Sequence, residues 1–492
     1  MIDNLGTIAR SGSKQFLDQV GSQMNDKIIG QFGVGFYSSF IVGDTVEVVS
    51  KSERSDKAYL WVSDGTGTFE ISEATDYFQG RGTKIIIHLK PDQANFCNKS
   101  EILKTIQRYS NFINYPILVN GERQNLVAAI WSRNKNEVTG DEYNKFYEYI
   151  TNSKLAYKYK LHYSTDAPLS IKALLYIPSA HMEKYGMQME DFDISLYCKK
   201  ILIKKNCREL LPHFLRFVKG VVDCEDLPLN ISREAYQDSA LIAKLRSVVA
   251  KRVIKEIESE ASKDSANYLS WYQEFQNFIK EGVAMDDDHR AQLTKLLRFQ
   301  TNKSEDFVSF DDYVAKLPQG ITNIYYYLAP SRQQALSSPY MEPFQNSEIP
   351  VIITSNHMDE VVFKQINEYE SRKFVNIESD QAEVEKVVQK TESESPKETT
   401  TVDAASVPND EITPFCLWLK NELNPIIGQV QVSKRLKNSP AIIVSAISSG
   451  MRQVMHAMGQ STVILNFIFR MTQRTQLQKS ILTTQLQLIQ IK

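Results

Sequence analysis

Three glycines within six residues, in Gly30-Gln31-Phe32-Gly33-Val34-Gly35-Phe36, constrain this chain more than any other feature. They follow an apolar approach, Ile28-Ile29. Without a Cβ, the backbone can turn with φ > 0 and come close to a ligand. Consecutive N–H groups leading into a helix form an anion site. Two readings stand on the glycines alone: a loop that covers phosphate, and a Gly-rich turn that caps a helix. The spacing GxxxxGK[ST] is absent. Arg81-Gly82-Thr83-Lys84 carries similar letters in another order and opens a strand.

Around this segment, residues 1–125 mix helix and strand signals. Val46-Glu47-Val48-Val49 and Ile85-Ile86-Ile87-His88-Leu89 are β-prone. Ser63-Asp64-Gly65-Thr66-Gly67 reads as a hairpin turn between Tyr59–Val62 and Phe69–Ile71, and not as a nucleotide-binding acid. Further on, Ser170 to Ile177 and Ile194 to Ile203 read as strands. Leu241 to Ile257 reads as a helix, with Ile242, Leu245, Val249, Val253 and Ile257 at spacings of three and four. A third α/β stretch has strands at Asn323–Leu328 and Val351–Ile353 and a helix at Glu360–Glu368. Residues 381–411 lack an apolar period and read as a flexible linker. A short domain begins near Thr413, and 461–492 form an apolar run followed by a Gln- and Thr-rich tail.

The 492 residues suit roughly three domains. A net charge of −2 makes no case for nucleic acid. No apolar run approaches the roughly 18–20 residues of a membrane span. Cys97, Cys198, Cys207, Cys224 and Cys416 are scattered and form no CxxC pair, which argues against a metal knuckle or disulfide framework and for a reducing compartment. The seven histidines show no metal-ligand spacing and read as structural or surface residues. The first residues carry no secretory or transit signal.

Two long motifs bring in a family. Asn4-Leu5-Gly6-Thr7-Ile8-Ala9-Arg10-Ser11-Gly12 with Ile29–Ser38 resembles the nucleotide lid of the heat-shock protein 90 family, and Gly82–Lys90 resembles that domain's closing strand. Gly220-Val221-Val222-Asp223-Cys224-Glu225-Asp226-Leu227-Pro228-Leu229-Asn230-Ile231-Ser232-Arg233-Glu234 is similar to the family's middle-domain signature. The resemblance runs from residue 1 to about 380, and more weakly to about 458. It implies an α/β chain with five parts. Residues 1–125 would be the later part of a GHKL-type ATP-binding sandwich. Residues 126–380 would be a middle domain of ribosomal-protein-S5-like fold. A linker at 381–411, a partial α+β dimerisation domain at 412–460 and an atypical tail at 461–492 would follow.

The resemblance also implies roles. Asn4, Arg10 and Thr83 would border the nucleotide, and Gly30, Gln31, Phe32, Gly33, Val34, Gly35 and Phe36 would cover its phosphates. Arg233 would reach the γ-phosphate, with Asn230 and Gln237 beside it. A guanidinium there can neutralise charge on a transferring phosphoryl group once domains close. The cofactors implied are ATP and Mg2+, and the partners are unfolded or partly folded clients and a second copy of the chain. Trp131 matches a client-contacting tryptophan, with a buried strand aromatic as the alternative. The lack of a long charged stretch between Leu89 and Trp131, together with Arg10 and Tyr163–Leu169, resembles the mitochondrial branch. A mitochondrial matrix location is implied, with the cytoplasm as the alternative.

Against the family pattern, the chain is expected to start inside the ATP-binding domain, after the acids that activate water and recognise adenine. The helices that pair protomers are expected to be missing after Ser461. A frame shift or splicing error would explain both ends. An incomplete first sheet is expected to expose apolar core faces. Two functions follow: an ATP-dependent chaperone, or a non-enzymatic fragment that binds clients or partners.

Overall fold

A computed structural model describes residues 1–7, 33–74, 80–113, 115–125, 127–185, 191–227, 239–380, 382–387, 409–422, 427–432, 436, 439, 441–444 and 465–469. The chain is a mixed α/β protein with two compact units, Met1–Val253 and Ile254–Lys492. No helix among the described residues is long and apolar enough to cross a membrane.

The first unit opens on a four-stranded antiparallel sheet. Its strands are β1 (Gly43–Lys51), β2 (Ala58–Ser63), β3 (Glu70–Glu73) and β4 (Gly82–Leu89), in the order β3-β2-β1-β4. The β-prone runs at Val46 and Ile85 form β1 and β4 as expected. Register places Val48 opposite both Trp61 and Ile85, so these share one face. The β2–β3 hairpin has the expected turn. Asp64 Oδ1 accepts from the Thr66 N–H at 3.0 Å and the Thr66 hydroxyl at 2.7 Å, with Gly65 and Gly67 at positive φ.

A second sheet follows helix α1 (Gly140–Thr151). Its strands are β5 (Tyr157–Thr165), β6 (Ile171–Pro178), β7 (Asp193–Cys198), β8 (Ile201–Lys204) and β9 (Lys219–Cys224), in the order β8-β7-β9-β6-β5. β7 and β9 run parallel, and the other pairs run antiparallel. Leu174, Tyr176, Tyr197 and Val221 form one face, packed with Tyr143, Phe146 and Tyr147 of α1. The segment 194–203 is a correction: it is two strands, not one. Lys199 and Lys200 take φ of 51° and 67°, which fold the apolar run back on itself. An apolar run does not reveal such a turn when neither corner residue is Gly or Asn.

Helix α2 (Ser239–Lys263) contains the predicted stripe, and Ile242, Leu245, Val249, Val253 and Ile257 are all buried.

The second unit centres on helix α3 (Ser265–Met285) and a sheet ordered β10-β12-β11-β14-β13. These strands are β10 (Gln300–Thr301), β11 (Asn323–Leu328), β12 (Val351–Thr354), β13 (Glu368–Tyr369) and β14 (Arg372–Asn376). β11 is parallel to both β12 and β14. One face, Tyr325, Tyr327, Val351, Ile353 and Val375, packs with Met341, Phe344 and Val384. On the other, Tyr326 and Phe374 hold Phe363 of helix α4 (Met358–Ile366) at 4.6 and 5.1 Å between ring centres. The predicted helix at Glu360–Glu368 therefore starts and stops two residues earlier, closed by Asn367 at φ 62°.

The expected linker at 381–411 is also modified. Residues 382–387 are helical, with Val384 and Val387 buried, whereas 388–408 lie outside the described residues. Helix α5 (Asn409–Glu422) begins before Thr413. A last sheet places β17 (Leu465–Phe469) between β15 (Ile427–Val432), parallel to it, and β16 (Ala441–Val444), antiparallel. Leu465–Phe469 of the apolar run thus form a central strand.

Candidate functional site

Two of the singled-out segments meet on the first sheet. Asn4 lies exposed in a helical turn, Ile2–Leu5, and the glycine segment ends in a 3-10 turn, Gly35–Ser38. Phe36 and Phe40 follow, and with Met1 and Leu5 they pack on Val46, Val48 and Trp61. The ring of Phe36 meets Trp61 edge-on at 5.7 Å. The Tyr37 hydroxyl donates to the carbonyls of Leu5 at 3.2 Å and Thr7 at 3.3 Å. An aromatic patch and one tyrosine therefore hold the Asn4 segment against the glycine segment.

The glycines are not equivalent. Gly33 has φ 67°, which a side chain would strain, and Val34 caps the 3-10 turn. A Cβ on Gly35 would meet nothing within 4 Å, so its backbone is open to a ligand. Thr83 is exposed on β4, on the Trp61 face, and shares a 2.9 Å hydrogen bond with Ser50. Asn4, Gly33, Val34, Gly35, Phe36 and Thr83 thus belong to one sheet and its covering turn. An exposed amide beside open glycine backbone suits an oxyanion, so the residues present fit the phosphate end of a nucleotide. Arg10, Gly30, Gln31 and Phe32 lie outside the described residues.

Asn230, Arg233 and Gln237 also lie outside them, but the described residues that lead to them are anchored. Lys172 pairs with Glu225 at 2.6 Å, and the Ser170 N–H donates to Asp226 at 2.6 Å. Leu227 is buried, and α2 starts at Ser239.

Trp131 corrects the expectation of a client contact. It is 1% exposed and lies in a 3-10 turn, Ile130–Ser132, not a strand. Its ring packs on Phe112, Phe146 and Tyr197, and its indole N–H donates to Asp223 at 3.0 Å. Asp223 went unnoticed in the sequence, although an acid within the apolar run Val221-Val222-Asp223-Cys224 is itself a signal. It also accepts from the Lys200 N–H at 3.0 Å. Burial pushes its carboxyl above the usual carboxylate range. His162 joins the same core, bonded to the Tyr143 hydroxyl at 2.6 Å and facing the Trp131 carbonyl at 3.2 Å. Burial lowers its pKa, so it is a neutral structural histidine.

The mixed α/β fold and the glycine segment on its aromatic base agree with the class that the comparisons show. The chain belongs to the Hsp90 protein family, whose sequence model matches residues 119–480. Its function is that of a molecular chaperone. It is 39% identical over 467 residues to the chaperone protein HtpG of Desulfitobacterium hafniense, covering 94% of this chain and 74% of that one. It is 40% identical over 462 residues to the mitochondrial TNF receptor-associated protein 1 homolog of Dictyostelium discoideum, covering 92% and 63%. Against the mitochondrial 75 kDa heat shock protein of Bos taurus the identity is 38% over 451 residues, covering 90% and 63%. The chain therefore spans less than two thirds of these mitochondrial relatives. The family match reaches residue 480, past the point near Ser461 where the sequence reading ended it.

Proposed function

We propose that this chain works as the lid and middle part of an ATP-driven chaperone that remodels unfolded or partly folded clients. Residues 1–125 form part of a GHKL-type nucleotide domain, and 126–380 form a middle domain of S5-like fold. Asn4, Arg10 and Thr83 border the nucleotide, and Gly30–Phe36 covers its phosphates. Arg233, flanked by Asn230 and Gln237, stabilises charge on the transferring phosphoryl group when the domains close. Mg2+, where bound with the nucleotide, would supply further screening of the phosphate charge. Two copies close together around a client, and the location is the mitochondrial matrix.

The observation that carries this reading is the double hydrogen bond from Tyr37 to Leu5 and Thr7, which joins two segments needed at one phosphate site. The chemistry of Arg233 requires a transition-state role, not a binding one. In a protein that carries the whole nucleotide domain, Arg233→Ala should cut ATP turnover by at least tenfold and leave nucleotide affinity within about twofold. Steady-state turnover and equilibrium binding measured on the same preparation decide it, and unchanged turnover sinks the assignment.

A further inference from the structure

We propose that the second unit holds a binding site for a small phosphate monoester, in a cleft at the carboxyl ends of β11 and β12. The cleft has a volume of about 460 Å³, within the roughly 300–1,000 Å³ of small-molecule sites. Parallel α/β sheets take ligands outside the carboxyl ends of their strands, and β11 and β12 are neighbouring parallel strands. The residues just after β11 and β12 line it, including Ser331 and Ser355.

The floor is a closed ion pair. Lys280 and Asp359 are 2% and 0% exposed, and their charged atoms lie 2.7 Å apart. Lys280 also donates to Gln276 at 2.8 Å, and Thr354 donates its hydroxyl to Asp359. The one carboxylate lining the cleft is therefore spent internally.

What remains is a surplus of donors. Arg298 uses Nη1 on the carbonyls of Lys295 and Leu297, and its guanidinium lies over the Tyr268 ring at 5.0 Å, while Nε and Nη2 make no hydrogen bond among the described residues. Ser331 accepts from the Gln334 N–H, which leaves its own O–H to donate. Ser355 and His357 are exposed and without partners among the described residues. A site with donors to spare and its acid neutralised takes an acceptor-rich anion. These donors come from three separate segments, which suits a tetrahedral oxyanion better than a planar one. Phe307, half-buried at the cleft, offers an apolar wall that inorganic phosphate would leave uncovered. The ligand is thus phosphate on a small carbon skeleton.

Calorimetric titration of the full chain with glucose 6-phosphate, inorganic phosphate, glucose and citrate tests this. Glucose 6-phosphate should bind more tightly than phosphate, and glucose should give no heat. Arg298→Ala should weaken the binding at least tenfold. Because Arg298 also braces its own turn, Ser355→Glu is the second variant: it places a carboxylate at the rim without disturbing packing, and should weaken binding similarly. Retention of wild-type affinity in Ser355→Glu overturns the site. Equal binding of citrate overturns the phosphate-ester class, and absence of heat from glucose 6-phosphate at millimolar concentration overturns both.

Discussion

Asp223 accepts two hydrogen bonds on one oxygen, from the Trp131 indole and the Lys200 amide, and is 3% exposed. It thereby ties three separate stretches of the first unit together: the turn at Trp131, the corner between β7 and β8, and the last residues of β9. Those last residues lead to Asn230 and Arg233. Asp223→Ala would orphan the buried Trp131 indole and the half-buried Lys200 amide, and an unsatisfied buried donor costs about 1–3 kcal/mol. Denaturant unfolding followed by Trp fluorescence should show that loss, and Asp223→Asn should recover part of it by keeping an acceptor. A wild-type midpoint in Asp223→Ala would show that the network contributes nothing. This residue was only half legible in the sequence. Its acid stands out in an apolar strand, but its partners lie 92 and 23 residues away.

At the scale of elements, β9 depends on one glycine. Gly220 has φ 143°, and a Cβ there would lie 2.3 Å from the Leu174 carbonyl on β6. Gly220→Ala should force the two strands apart at a cost on the order of 3 kcal/mol. Faster amide exchange along Leu174–Tyr176 would report it, and unchanged protection there would refute it.

Helix α1 begins with a capping box, in which Thr139 accepts from the Glu142 N–H and the Glu142 carboxylate accepts from Thr139. The Thr139 N–H first, then Arg133, hold the Glu142 carboxyl down from 4.5 to about 2. A depressed carboxyl stabilises the folded state above its unfolded pKa and loses that contribution as pH falls. The cap should therefore be intact above pH 4.5 and loosen as pH falls towards about 2. Protection of the first α1 amides, taken relative to their intrinsic exchange rate at each pH, should fall over that window in the wild type and stay flat in Glu142→Gln. A Glu142→Gln profile that matches the wild type would dispose of this account. The turn at Lys199–Lys200 was not legible in the sequence, because tertiary packing holds two lysines in a conformation their own propensity disfavours.

At the scale of the whole molecule, the chaperone function predicts that the chain suppresses aggregation of a denatured client. The proposed role of Arg233 confines its effect to turnover. Arg233→Ala should therefore slow nucleotide-dependent release and leave nucleotide-free holding near wild type, as light scattering of a heat-denatured enzyme would show. Loss of holding in that variant would place Arg233 in client contact instead. The first sheet also leaves Tyr59, Ile71, Ile85 and Ile87 at 36–49% exposure on the face that carries Trp61.

By itself the sequence determined the family, the strand runs of the first sheet, the buried stripe of α2 and the glycine segment. These are patterns of adjacent or periodic residues, and local backbone preference is enough to express them. Tertiary structure alone decided that Trp131 is core, that Asp223 is its partner, and that Tyr37 ties Asn4 to the glycines. It also decided that donors gather where β11 and β12 end. Each of these depends on contacts between distant residues, which packing creates and no local pattern encodes.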